Sequence, residues 1–108
     1  MSLSAEQIAA ARDLFSGLGD ITTRRMMGGL CLYYRGTIFA IVMGDGGIFL
    51  KASGAMIATL EAEGCSQWQY QRAGRAAPSH MPYWTLPDAA YDDPDTACDW
   101  ARRVLAHL

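Results

Sequence analysis

The sequence predicts an α+β domain: an antiparallel sheet with the order helix, three or four strands, helix, two strands, helix. Three observations carry that prediction. Apolar residues recur at helical spacing near both ends, at Ile8, Ala11, Leu14, Phe15 and Leu18 and again at Ala97, Trp100, Ala101, Val104, Leu105 and Leu108. Between them lie short β-branched and aromatic runs, joined by glycine turns too brief for a parallel crossover. Strands grouped in this way, with helices to cover them, make an α+β rather than a βαβ architecture. At 108 residues the chain is one domain, 1–108, and its 51% hydrophobic content supplies a core and excludes disorder.

Each element has its own local signal. Ser4 with Gln7 three residues later forms a capping box, so the first helix is expected over 5–18, stopped by Gly17 and Gly19. Gly28-Gly29 interrupts an extended segment and marks a bulge or a close backbone approach. Leu30 to Tyr34 reads as a strand, and Arg35-Gly36 as a tight turn. Thr37 to Met43 is a central strand, Gly44 to Gly47 a turn, and Ile48 to Lys51 a further strand. Ser53 and Gly54 open a helix over 55–63 that Gly64 ends. Gln67 to Gln71 alternates as a strand, 73–78 is a loop, and Met81 to Leu86 is extended between Pro82 and Pro87, which points to an edge strand. Asp92-Asp93-Pro94-Asp95 then places an acidic cap and a first-turn proline before the last helix.

Charge and cysteine content narrow the function classes. The net charge is −2, which argues against a free-standing DNA-binding domain. Six cations (Arg24, Arg25, Arg35, Lys51, Arg72, Arg75) face three acids (Asp45, Glu61, Glu63) between Ile21 and His80, whereas Asp88 to Asp99 holds five acids and no cation. Most of this is a solvated surface; the sharper reading is a basic sheet surface that meets an acidic partner. Cys31, Cys65 and Cys98 form no Cys-x-x-Cys pair, so neither a disulfide framework nor a zinc knuckle is expected, and a reducing cytoplasm fits. The N-terminus does not read as a signal peptide, and Thr37 to Met43 is too short to span a bilayer.

The motifs RRMMGG, YRG with TIFAIV, IFLKAS, MPYWTLPD and WARR, in that order, resemble the N-terminal domain of the TfoX (Sxy) competence-regulator family over about 14–105. The family pattern falls on Arg25, Met26, Gly28, Gly29, Gly36, Phe39, Ala40, Leu50, Lys51, Tyr83, Pro87 and Trp100. Met27 stands where that pattern has Phe, and methionine fills the same volume adaptably. The resemblance implies a secretion-chaperone-like α+β domain with a regulatory, non-catalytic role in transcription, working through protein contacts. Longer family members activate DNA-uptake genes with a cyclic-AMP-dependent activator and carry a second helical domain with no counterpart here.

Residue by residue, the candidate sites are thin. RRMMGG leads into a strand, so its amides are not gathered at a helix N-terminus as a phosphate loop requires, and Arg24 or Arg25 is expected to pair with an acid of the Asp88 to Asp95 segment. Cys31 has one histidine in view, His80, some fifty residues away; His107 sits at a helix end. No catalytic residue, metal or cofactor is therefore expected, and the chain is not read as an enzyme. Arg24, Arg25, Arg35 and Lys51 with Tyr83 and Trp84 are the candidate contacts to a partner, with MPYWTLP as the exposed edge. Protein partners, a homodimer among them, are favoured; direct nucleic-acid contact through Arg24, Arg25 and Arg35, and a small anionic-ligand-binding domain or minor enzyme using a pocket near Arg25, Lys51 and His80, are the alternatives.

Overall fold

The computed structural model describes residues 3–26, 28–70 and 79–108. The capping box forms as expected: the Gln7 N–H donates to Ser4 Oγ at 3.1 Å, and the Ser4 N–H donates to Gln7 Oε1 at 2.8 Å. The helix that follows, α1 (Ala5–Leu14), is shorter than the periodicity suggests, and Ser16–Leu18 is a 3-10 turn. Docking against the last helix explains the early end. A Cβ on Gly17 would sit 3.2 Å from Cys98 Sγ, and Arg102 Nη2 donates to the Gly17 carbonyl at 3.2 Å, so the turn is drawn down onto that helix.

Six strands follow in one antiparallel sheet: β1 (Ile21–Met26), β2 (Gly29–Tyr34), β3 (Thr37–Val42), β4 (Ile48–Lys51), β5 (Gln67–Tyr70) and β6 (Ser79–Thr85), in the spatial order β1-β2-β3-β4-β6-β5. The first four form a meander with β1 as its free edge. The glycine pair divides its labour. Gly28 has φ +81° and closes the β1–β2 hairpin, while Gly29 is paired with Met26 and lies where a Cβ would stand 3.0 Å from the Val42 carbonyl oxygen. Close approach is therefore the correct alternative there, and the bulge lies elsewhere. It falls at Phe39, because Leu32 pairs with Ala40 but Tyr33 pairs with Ile38. That extra residue lets Phe39 and Ala40 both turn to the core. Arg35 (φ +49°) and Gly36 (φ +87°) form the two-residue turn with positive φ at both positions that suits a twisted hairpin.

One expectation is overturned. The Met81 to Leu86 segment is not an edge: β6 lies between β4 and β5. Pro82 is tolerated because its ring nitrogen faces the β4 side opposite Ala52, one residue past the last β4 residue, Lys51, so only a terminal ladder N–H is lost. Its carbonyl still accepts from the Ala52 N–H at 3.1 Å. The loop expected over 73–78 lies outside the described residues.

The helices α2 (Ala55–Ala62) and α3 (Pro94–Leu105) join α1 on one side of the sheet. The Asp93 carboxylate caps α3, accepting from the Asp95 and Thr96 N–H groups, with Pro94 in the first turn. The core on this side includes Phe15 and Phe39, which meet edge to face with centroids 5.4 Å apart, together with Leu32, Leu50, Leu60 and Val104. Among the described residues no helix is long and apolar enough to cross a membrane.

Candidate functional site

Strand alternation sends a second set of side chains to the opposite face, where none of the three helices lies. This outer face holds a small cluster of its own: Cys31, Ile41 and Tyr83, flanked by Tyr33, Phe49 and Trp68. The rings make a short chain, Phe49 to Trp68 at 5.9 Å and Trp68 to Tyr83 at 6.1 Å. Lys51 pairs with Tyr83 across the β4–β6 ladder and Arg24 pairs with Cys31 across β1–β2, so each cation shares this face. Burial pushes the Cys31 thiol up from its ordinary value, although the Tyr33 hydrogen bond and the Arg24 charge oppose it. At 1% exposure Cys31 is packed within the outer cluster. Burial likewise raises the Tyr83 phenol, with Cys31 and Tyr33 adding to it.

The two arginines of β1 part company. Arg25 pairs with the buried Leu30 and so projects to the helix side, whereas Arg24 projects to the outer face. Among the described residues the ion pairs are Arg35 with Asp20 at 3.5 Å and Arg102 with Asp99 at 3.3 Å, so the pairing expected between Arg24 or Arg25 and the Asp88 to Asp95 segment does not form. Arg12 adds a third cation: its Nη1 donates to Thr23 Oγ1 at 2.9 Å on the helix side of the same strand. Arg35 lies at the far end of the β1–β2 pair, held by Asp20 and over the Tyr34 ring at 5.2 Å.

These positions sort the sequence-predicted groups. Arg25 and Lys51 project to opposite faces with β2 and β3 between their strands, so they do not converge on one anion. The side chain of His80 lies outside the described residues. Arg24 and Arg25 project to opposite faces, and Arg35 lies at the other end of the strand pair beside Asp20. Tyr83 and Trp84 are 7% and 3% exposed, and Trp84 Nε1 donates to Glu61 Oε2 at 3.0 Å, so their contacts are internal. Of the family-pattern residues, Phe39, Ala40, Leu50, Tyr83, Pro87 and Trp100 are buried, as is Gly29; Arg25, Met26, Gly28 and Gly36 are exposed, and Lys51 is half-buried. Met26, at 48% exposure, stands out beside the arginines.

Two cavities escaped the sequence reading. A groove of about 480 Å³ runs between α1 and the start of α3, walled by Ala11, Leu14, Val42, Ile48 and Tyr91 with Asp13 and Asp92 on its lining. Within its wall the Tyr91 hydroxyl accepts from the Ile48 N–H at 3.0 Å. A smaller cavity of about 250 Å³ lies beside Cys65, with Glu63, Thr85 and Asp88 in its wall. Burial raises the Cys65 thiol; the Thr85 hydrogen bond opposes this, and the Glu63 and Asp88 charges add to it. Both cavities depend on residues brought together from distant elements. Among the described residues no group of three or more His, Cys, Asp or Glu is placed to hold a metal ion.

The family model described as the TfoX N-terminal domain matches residues 13–108. No curated protein matches the chain.

Proposed function

Because the chain belongs to the TfoX N-terminal domain family, we propose that it is a cytoplasmic, non-catalytic adaptor that acts in transcription regulation through protein contacts. The observation that carries this reading is the one-sided layering. Three helices cover one face, while the other face and the β1 edge keep Arg24, Lys51, Tyr33, Phe49 and Met26 at or near the surface. Mixed aromatic, methionine and cationic groups suit protein recognition, since rings and thioethers bury large areas while arginine supplies orientation.

The test is site-specific photocrosslinking in the native cell. A photoreactive residue at Thr22 or Phe49 should capture a component of the transcription machinery, whereas one at Ala9 on exposed α1 should not. Capture from α1 alone, or from no position, would refute the adaptor reading.

A further inference from the structure

The β1 edge has a main-chain pattern as well as a charge pattern. The Arg35 N–H donates to the Asp20 carbonyl at 3.3 Å, and the β1–β2 register runs unbroken from Ile21↔Tyr34 to Met26↔Gly29. In an antiparallel ladder, hydrogen-bonded positions alternate. The main chain of Asp20, Thr22, Arg24 and Met26 therefore faces β2, and that of Ile21, Thr23 and Arg25 faces outward at the sheet edge. The edge carries no proline, and its register with β2 shows no shift. It is a regularly paired six-residue template, unlike the four-residue β5 at the opposite edge, whose pairing is interrupted.

Arg24 flanks this edge on the outer face, and Arg25 and Arg12 flank it on the helix side; none of the three has a carboxylate in ion-pair reach among the described residues. Resting on the adaptor reading above, we infer that the β1 edge receives an extended acidic peptide segment of a partner as an added strand. The segment carries two successive carboxylates, one beside Arg24 and the next beside Arg25. Successive residues of a strand point to opposite faces, so an acidic pair satisfies both arginines at once. The outward N–H and C=O groups of Ile21, Thr23 and Arg25 pair with its main chain. A nucleic-acid backbone offers acceptors for the arginines but none of the alternating donors this edge needs. A second copy of this chain on the same edge would bring the arginines of both copies together.

The probe is a capped ten-residue peptide alternating threonine and valine around a central Glu-Glu pair. Its controls are the same peptide with Lys-Lys at the centre, a version N-methylated on alternate amides, and a single-stranded oligothymidylate. Binding is followed by amide NMR of the intact protein. The Glu-Glu peptide should shift residues 21–26 and slow amide exchange at Ile21, Thr23 and Arg25, and should bind about tenfold tighter than the Lys-Lys peptide, as expected where charge sets partner preference. Charge reversal by Arg24→Glu with Arg25→Glu should invert that preference. Thr23→Pro removes only an outward N–H, so it should abolish binding while the β1–β2 ladder persists; should that variant unfold, loss of binding by the N-methylated peptide gives the same answer.

Four outcomes overturn the inference. They are Glu-Glu binding that survives both Thr23→Pro and N-methylation, equal binding of the Lys-Lys peptide, displacement by oligothymidylate, and concentration-dependent self-association that Thr23→Pro removes. Crosslinking from Phe49 in the cell would still stand in each case, so the adaptor reading is judged separately.

Discussion

A Cβ built on Gly29 would lie 3.0 Å from the Val42 carbonyl oxygen, and that oxygen belongs to a β-ladder that cannot retreat without losing its own pairing. Gly29→Ala is expected to cost about 1–3 kcal/mol, the usual range for overpacking against a fixed neighbour. A urea titration would show this as a lower midpoint at an unchanged slope. The cysteines make a second residue-scale case. Cys31 and Cys98 are buried and Cys65 is half-exposed, so a disulfide-exchange reagent should find one accessible thiol in the native protein and three after unfolding. Because burial holds the Cys65 thiol above its ordinary 9.0, its reaction should be slow at neutral pH and quicken by about tenfold per pH unit below that value, as the thiolate is the reacting form. A second thiol reacting equally fast in the folded protein would contradict the placement of Cys31 or Cys98.

At the scale of elements, local chemistry was legible where one residue type has one structural use. The Ser4–Gln7 box, the Arg35-Gly36 turn and the Asp93-Pro94 helix start are readable because capping groups and positive φ are local requirements. What misled was Pro82, whose edge-strand meaning holds only where its missing N–H would meet a paired neighbour; here it stands opposite Ala52, just past the end of β4, and no local pattern announces where that neighbour stops. The candidate site was legible only in its residue types. Arg24 and Arg25 stand adjacent in sequence yet project to opposite faces, and Arg12 reaches the same strand from another element. The α3 cap supports a pH prediction. The Thr96 side chain, then main-chain N–H groups, hydrogen-bond the Asp93 carboxylate and hold it below its ordinary 3.8. A carboxyl lowered in the folded state contributes stability that is present above the unfolded value and lost as pH falls through the folded one. Stability measured from pH 5 downward should therefore fall less steeply in Asp93→Asn, which keeps an acceptor but no titrating charge, than in the native chain. Equal slopes would show that Asp93 contributes nothing to acid unfolding.

At the scale of the whole molecule, the two faces of the sheet carry unequal loads. The helix side holds the larger cluster, in which Phe39 is fully buried, meets Phe15 edge to face and occupies the bulge of β3. Truncation there forfeits both transfer free energy and packing, about 3–5 kcal/mol for Phe→Ala, which approaches the whole stability of an ordinary small domain, roughly 5–15 kcal/mol. Phe49 on the outer face is half-buried and packs on Trp68 at 5.9 Å, so Phe49→Ala should cost about 1–2 kcal/mol on the scale of partial side-chain burial. Arg24 and Arg25 are exposed, and substitutions there should stay within about 0.5 kcal/mol. The same division separates folding from recognition: groups that face the helices hold the domain together, and the exposed and half-buried groups of the outer face and the β1 edge can change without unfolding it. Paired denaturation and crosslinking measurements check this directly. Phe39→Ala should lose structure, and with it any partner, whereas Phe49→Ala and the Arg24 and Arg25 variants should keep native spectra while losing capture. Comparable melting losses for Phe39→Ala and Phe49→Ala would mean that the outer cluster is as much a part of the folding core as the helix side, and that its aromatic residues are spoken for by stability alone.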